Sequence, residues 1–165
     1  MLSAELLLNQ IKSHGVTHVV GLPDNGSRAL FEALWEEPAI DVINVSREGE
    51  AFALASGLYL GGRKPLVAIQ NTGFLETGDA FRGTAYNMGI PLVMILGYRG
   101  YATMAPGAER VDTAATFFEP TLKAWNIPYS MLFEDAEIEP GLRSAFSGAE
   151  STSLPAAVLL GVDTG

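Results

Sequence analysis

The chain contains no cysteine, which excludes a disulfide framework and any thiolate metal site. It has only two histidines. Both flank the start of the first strand-like segment, far from its loop end, so His14 and His18 read as packing or surface groups rather than acid–base catalysts. No apolar run approaches the roughly 18 residues that a membrane helix needs. Charge is scarce, at 18% of residues against about 25% in ordinary globular domains, while 48% are hydrophobic. So few charges cannot comfortably cover a lone small globule, and with a membrane span excluded, part of the surface is expected to be buried against another chain. Positive charge is scarcest: ten Lys and Arg against 19 Asp and Glu give a net charge of −9. That balance repels phosphate backbones and anionic membrane surfaces, so neither nucleic acid nor membrane is an expected partner. The opening "MLSAELLLNQIKSHG" carries Glu5 where a secretory leader would place positive charge. The cytoplasm is therefore the expected compartment.

What is present is a regular alternation. Leu7, Leu8 and Ile11 mark a helix over 4–14 that stops at Gly15. "VTHVVGLP" is a β-branched run broken by Gly21 and Pro23, the pattern of a buried strand feeding a loop. Helix "SRALFEALWEE", strand "IDVINV", helix "REGEAFALASGLYLGG" and strand "PLVAIQ" follow. A loop and helix are expected over about 71–88, then strand "PLVMILG". The Gly- and Pro-bearing "YRGYATMAPGAERVDT" is long enough to be a functional loop. Helix "TAATFFEPTLKAW", interrupted at Pro120, strand "IPYSML", helix "DAEIEPGLRSAFSGAE" and strand "PAAVLLGV" complete the chain. Continuous apolar strands alternating with helices predict an α/β three-layer sandwich, a mostly parallel sheet with helices on both faces, in one domain over 1–165.

In such sheets ligands bind beyond the carboxyl ends of the strands. The loops there are "GLPDNGS", "VSREGE", "QNTGFLETGD" and "GYRGY". They line up Asp24, Asn25, Glu48, Gln70, Asn71, Thr72 and Arg99 along one rim.

Taken in this order, "GLPDN", "REGEAFALASGLYLGG", "QNTG" and "ILGYRG" resemble the pyrimidine-binding domain of thiamine diphosphate-dependent 2-oxo acid decarboxylases. Within that superfamily they look most like the phosphonopyruvate and sulfopyruvate decarboxylases. The resemblance covers most of the chain and is densest over 15–100. It implies that Glu48 is the acid that hydrogen-bonds a ring nitrogen of the cofactor's aminopyrimidine, while the cofactor serves as electron sink for decarboxylation. Two effects oppose each other at this position. A carboxylate in a helix's first turn is stabilised by the dipole, by about 0.3–1 kcal/mol at an exposed end. Burial can raise a carboxyl pKa by up to about 3–5, and it dominates if Glu48 is enclosed. Glu50 reads as an ordinary first-turn acid.

The same resemblance puts Asp24 in the active site with Glu48, although Asp24 could simply cap the following helix. Asn25 is open between cap and substrate contact. Pro23, Gln70, Thr72 and Gly73 are expected at the cofactor, and Asn71, with Asn25 and Arg99, at the substrate. "FLETGD" departs from the family's usual continuation of the "QNTG" loop. Arg99 suits a sulfonate, phosphonate or carboxylate, because a planar guanidinium donates two parallel hydrogen bonds. Trp35, Trp125 and the Phe117–Phe118 pair read as core or interface.

Members of this superfamily carry a second domain in which Gly-Asp-Gly and a later asparagine hold magnesium and the diphosphate. "TGDAFRGTAYN" lacks the second glycine and is not that motif. The resemblance thus implies half an active site: an alpha subunit of a hetero-oligomer whose beta subunit brings the magnesium ligands. The implied substrate is a small anionic 2-oxo acid, sulfopyruvate first and phosphonopyruvate second. Two other readings remain open, a nucleotide-binding module without catalysis and a regulatory subunit of the same fold. "GLPDNG" is neither G-x-G-x-x-G nor a P-loop, which weakens the first. Retention of Glu48 weakens the second.

Overall fold

The computed structural model describes residues 1–165. Six strands form a single sheet: β1 (His18–Gly21), β2 (Asp41–Asn44), β3 (Pro65–Gln70), β4 (Val93–Gly97), β5 (Tyr129–Leu132) and β6 (Ala156–Leu160). Their spatial order is β2-β1-β3-β4-β6-β5, and every pairing is parallel. Seven helices connect them: α1 (Ala4–Ser13), α2 (Arg28–Trp35), α3 (Glu48–Leu60), α4 (Asn71–Glu76), α5 (Gly78–Ala80), α6 (Thr113–Ala124) and α7 (Ile138–Thr152).

The central strands are apolar except for His18 and Gln70 at strand ends, because both faces are covered. Leu66 and Ala68 of β3 pack with α1, α2 and α7, whereas Val67 and Ile69 face α3, α4 and α6. Val93 and Ile95 alternate with Met94 and Leu96 in the same way on β4. The first layer is closed by Leu7, Ile11, Phe31, Leu34, Leu142 and Phe146. The second is built on aromatic edges: Phe52, Phe74 and Phe81 meet pairwise with ring centroids 5.5–6.2 Å apart, and Trp125 stacks on Phe81 at 5.5 Å. Strands β2 and β5 are the edges and are only half-buried. No helix is long and apolar enough to cross a membrane.

Two expected elements differ. The segment after β3 is not a loop followed by one helix: α4 begins directly at Asn71, and beyond α5 the chain widens into a π-helical stretch over Phe81–Tyr86. Nor does Pro120 interrupt α6, which runs unbroken through it. Proline removes one backbone hydrogen bond, but Pro120 and Thr116, whose carbonyl loses its partner, are both exposed. Water can satisfy that carbonyl while buried Ala115, Phe118 and Leu122 hold the helix on the sheet. Pro120→Ala should therefore raise the unfolding free energy by about 2 kcal/mol, the helix-propensity gain less the added entropy of the unfolded chain. Urea denaturation measures it; no gain would mean that the helix depends on the proline ring.

Candidate active site

Because the strands are parallel, the loops after β1, β3, β4 and β6 meet at one end of the sheet. They enclose a cavity of about 950 Å³ whose lining includes Asp24, Asn25, Gln70, Arg99 and Asp163. Asp24 shapes its own loop. One carboxylate oxygen accepts the amides of Gly26 at 2.7 Å and Ser27 at 3.3 Å, and the other accepts the Ser27 hydroxyl at 3.0 Å. Ser27, not Asn25, stands at the N-cap of α2. Asn25 is exposed on the cavity wall. Pro23 is half-buried in the same loop and does not line the cavity.

Glu48 opens α3 and lies against Gly73 near the start of α4. A Cβ at Gly73 would fall 2.1 Å from the Glu48 carboxyl carbon, so glycine is what lets the two helix starts approach. The neighbouring acids are already engaged. Glu50 accepts the amides of Ser46 and Arg47 at 3.0 and 3.2 Å. Glu76, at the end of α4, accepts the Gly49 amide at 3.2 Å and the Arg47 guanidinium at 2.5 Å. That guanidinium, followed by the Gly49 amide, holds the Glu76 carboxyl below the usual carboxylate range. Glu48 alone of the three takes no hydrogen bond from the chain. It is half-buried, so the enclosure expected for it is not complete within this chain.

Gln70 joins the two regions, lining the cavity while its side-chain oxygen accepts the Thr72 hydroxyl at 2.5 Å. Asn71 sits differently from its expected place at the substrate. It is fully buried, and its amide donates to the Arg99 carbonyl at 3.0 Å and the Ala114 carbonyl at 3.4 Å. As the first residue of α4 its side chain turns inward beneath the β4 loop, away from the rim. Arg99 is exposed and its Nε lies 3.3 Å from Asp112.

Three features escaped sequence reading. Glu76 lies in "FLETGD", and its tie to α3 depends on a contact between two helix ends. Tyr98 is buried beside Arg99 and donates to the Ala115 carbonyl at 3.1 Å and to Glu119 at 3.2 Å, while Tyr129 donates to the same carboxylate at 2.5 Å. Burial, then Glu119, pushes Tyr129 up to about 12 and Tyr98 higher still, so both phenols stay neutral donors. Gly97 closes the cavity floor, where a Cβ would meet Asp24 at 3.4 Å. No three acidic, histidine or cysteine side chains gather as metal ligands.

Residues 1–116 match the thiamine pyrophosphate enzyme family through its N-terminal TPP binding domain. The chain belongs to that family. Among its relatives is the sulfopyruvate decarboxylase subunit alpha of Methanothermobacter thermautotrophicus, 27% identical over 160 residues, 97% of this chain and 96% of that one. The corresponding subunit of Methanococcus maripaludis is 30% identical over 61% of this chain and 60% of its own length. The phosphonopyruvate decarboxylase of Streptomyces viridochromogenes is 32% identical over 61% of this chain, which covers a quarter of that enzyme's length, 25%. The residues fit the pyrimidine side of a thiamine pyrophosphate site in one respect: a carboxylate, Glu48, left free of hydrogen bonds beside Gly73.

The inward tie of Asn71 has a measurable consequence. Asn71→Ala removes two buried hydrogen bonds and leaves a small void, so it should lower the unfolding free energy by about 2–3 kcal/mol. Chemical denaturation of the two proteins tests this; a loss below about 0.5 kcal/mol, the level of ordinary surface substitutions, would refute the tie.

Proposed function

We propose that residues 1–165 form one pyrimidine-binding domain, the alpha subunit of a heteromeric thiamine diphosphate-dependent decarboxylase. Its substrate is sulfopyruvate and its products are sulfoacetaldehyde and carbon dioxide. The observation that carries this reading is the Glu48 carboxylate set against Gly73 at the start of α3, with its oxygens free while Glu50 and Glu76 are occupied by backbone amides. The match to a sulfopyruvate decarboxylase alpha subunit along nearly the whole of both chains supports it.

In this reading the C1–C2 bond of the substrate breaks, carbon dioxide leaves, and a proton takes its place on C2. Bound thiamine diphosphate would supply the electron sink for that cleavage. Glu48 would hold a proton at its carboxyl group and share it with the pyrimidine ring, and Gly73 provides the room. Pro23, Gln70 and Thr72 would border the ring. Asp24 and Asn25 would face the substrate from the opposite wall, Asp24 as a catalytic residue whose carboxylate also fixes its own loop. Arg99 reads the terminal anion. Asn71 serves by fixing the backbone of Arg99 rather than by touching substrate.

A beta subunit would bring the magnesium and diphosphate ligands and complete the enclosure of Glu48. The surface suits such a partner: α3 carries no charge from Ala51 to Leu60 yet exposes Leu54, Tyr59 and Leu60. Assembly would take place in the cytoplasm. The phosphonopyruvate enzyme's similarity keeps phosphonopyruvate as the second candidate substrate.

The test is reconstitution of the chain with a partner bearing the missing domain, in thiamine diphosphate, magnesium and sulfopyruvate. Carbon dioxide release should require both chains. Turnover by this chain alone would overturn the split site, and none from the pair would overturn the decarboxylase. Glu48→Gln keeps the shape but cannot carry the proton, so kcat should fall by about 100-fold or more with sedimentation of the complex unchanged. Near-normal turnover would remove Glu48 from the mechanism.

A further inference from the structure

Ten Lys and Arg side chains serve a chain with 19 carboxylates, and eight of the ten lie within 4.0 Å of one. Arg63 and Arg110 do not. Arg63 stands alone at the far end of the sheet, just before β3. Arg110 lies in the loop between β4 and α6, beside another guanidinium. A second cavity, of about 520 Å³, is lined by Arg99, Thr103, Arg110, Val111, Asp112 and Thr113. Arg99 and Thr103 also line the larger cavity, so the two spaces share a wall.

The lone carboxylate of this groove is already committed. One oxygen of Asp112 accepts the Ala114 amide at 3.0 Å as the cap of α6, and the other faces Arg99. Gly100 fixes that arrangement. It holds a left-handed backbone at φ +81°, and a Cβ there would stand 2.6 Å from Asp112. Thr103 is likewise engaged, donating to the Gly100 carbonyl at 2.6 Å and accepting the Asp112 amide at 2.9 Å. Arg110 and the Thr113 hydroxyl are left free. Two guanidinium groups against one carboxylate give the groove a formal charge of about +1 in a strongly acidic chain. Two like charges on one small space are costly unless an anion joins them.

We propose that this groove is the subsite for a singly charged tetrahedral oxyanion, a sulfonate, and that Arg110 is a second specificity-determining residue beside Arg99. The identity of the ligand rests on the decarboxylase reading above, as the terminal group of its substrate; the groove itself does not. A sulfonate has three oxygens for two guanidinium forks and a hydroxyl, and its single charge balances the groove. A fully ionised phosphonate carries one charge too many, and a carboxylate has one oxygen too few. Arg99, on the wall between the spaces, keeps the anionic end of the substrate in the groove and its 2-oxo acid end in the larger cavity.

Titration of the full-length chain with sulfoacetate, phosphonoacetate and malonate at low salt tests the groove without cofactor or partner. Sulfoacetate should bind most tightly, and Arg110→Ala should weaken it about tenfold, the loss of one hydrogen bond to a charged group. Arg110→Lys should restore only part of that affinity, since an ammonium cannot reproduce the fork. Arg63→Ala, the other unpaired arginine, should change nothing. Unaltered binding in Arg110→Ala, an equal loss in Arg63→Ala, or malonate binding as tightly as sulfoacetate would each overturn the proposal. In the reconstituted two-chain enzyme, Arg110→Ala should raise KM for sulfopyruvate about tenfold and leave kcat, and KM for pyruvate, in place. An unchanged KM overturns the subsite while leaving the decarboxylase standing. A pair that decarboxylates nothing overturns the decarboxylase, and the titration still decides the groove.

Discussion

Parallel strands cannot be joined by tight turns, so each must be followed by a crossover that returns the chain to the opposite end of the sheet. The site depends on that constraint. With every pairing parallel, the loops carrying Asp24, Glu48, Gln70 and Arg99 emerge on one side although they are scattered over much of the sequence. The strand order adds a crevice. After β1 the chain turns to the layer of α1, α2 and α7, and after β3 to the layer of α3, α4 and α6. The two loops part where β1 and β3 lie side by side, which is where such sheets take ligands.

Within that frame the chemistry is allotted by which polar groups the backbone has already claimed. Three carboxylates crowd the junction of α3 with α4, and two are spent on amides that a helix start leaves without partners. The third, Glu48, is held by shape against Gly73. An acid positioned by packing rather than by hydrogen bonds keeps its oxygens available to something outside the chain. The β4 loop follows the same logic. Asn71, Tyr98 and Asp112 each bond to its backbone or to the start of α6, so a long surface segment is anchored while the Arg99 and Arg110 side chains stay exposed.

Scarcity of charge ties the surface to the site. With so few cations, each one without a carboxylate partner is conspicuous, and the uncharged stretch of α3 leaves a face that water covers poorly.

The amino-acid sequence by itself determined the layered parallel fold, the family and the end of the sheet at which Asp24, Gln70 and Arg99 stand, because these follow from local periodicity and from loop motifs a few residues long. It also marked Glu50 as an ordinary first-turn acid, and Glu50 does hold the Ser46 and Arg47 amides. Only the tertiary structure decided that Asn71 turns inward, that α6 survives Pro120, that Glu76 closes the start of α3, and that Arg110 shares a groove with Arg99. Each of these depends on which atoms of distant segments come within about 3–4 Å, and on whether the freed carbonyl or the charged head then meets protein or water. Such distances are set by helix packing across the sheet, and no spacing along the chain encodes them directly.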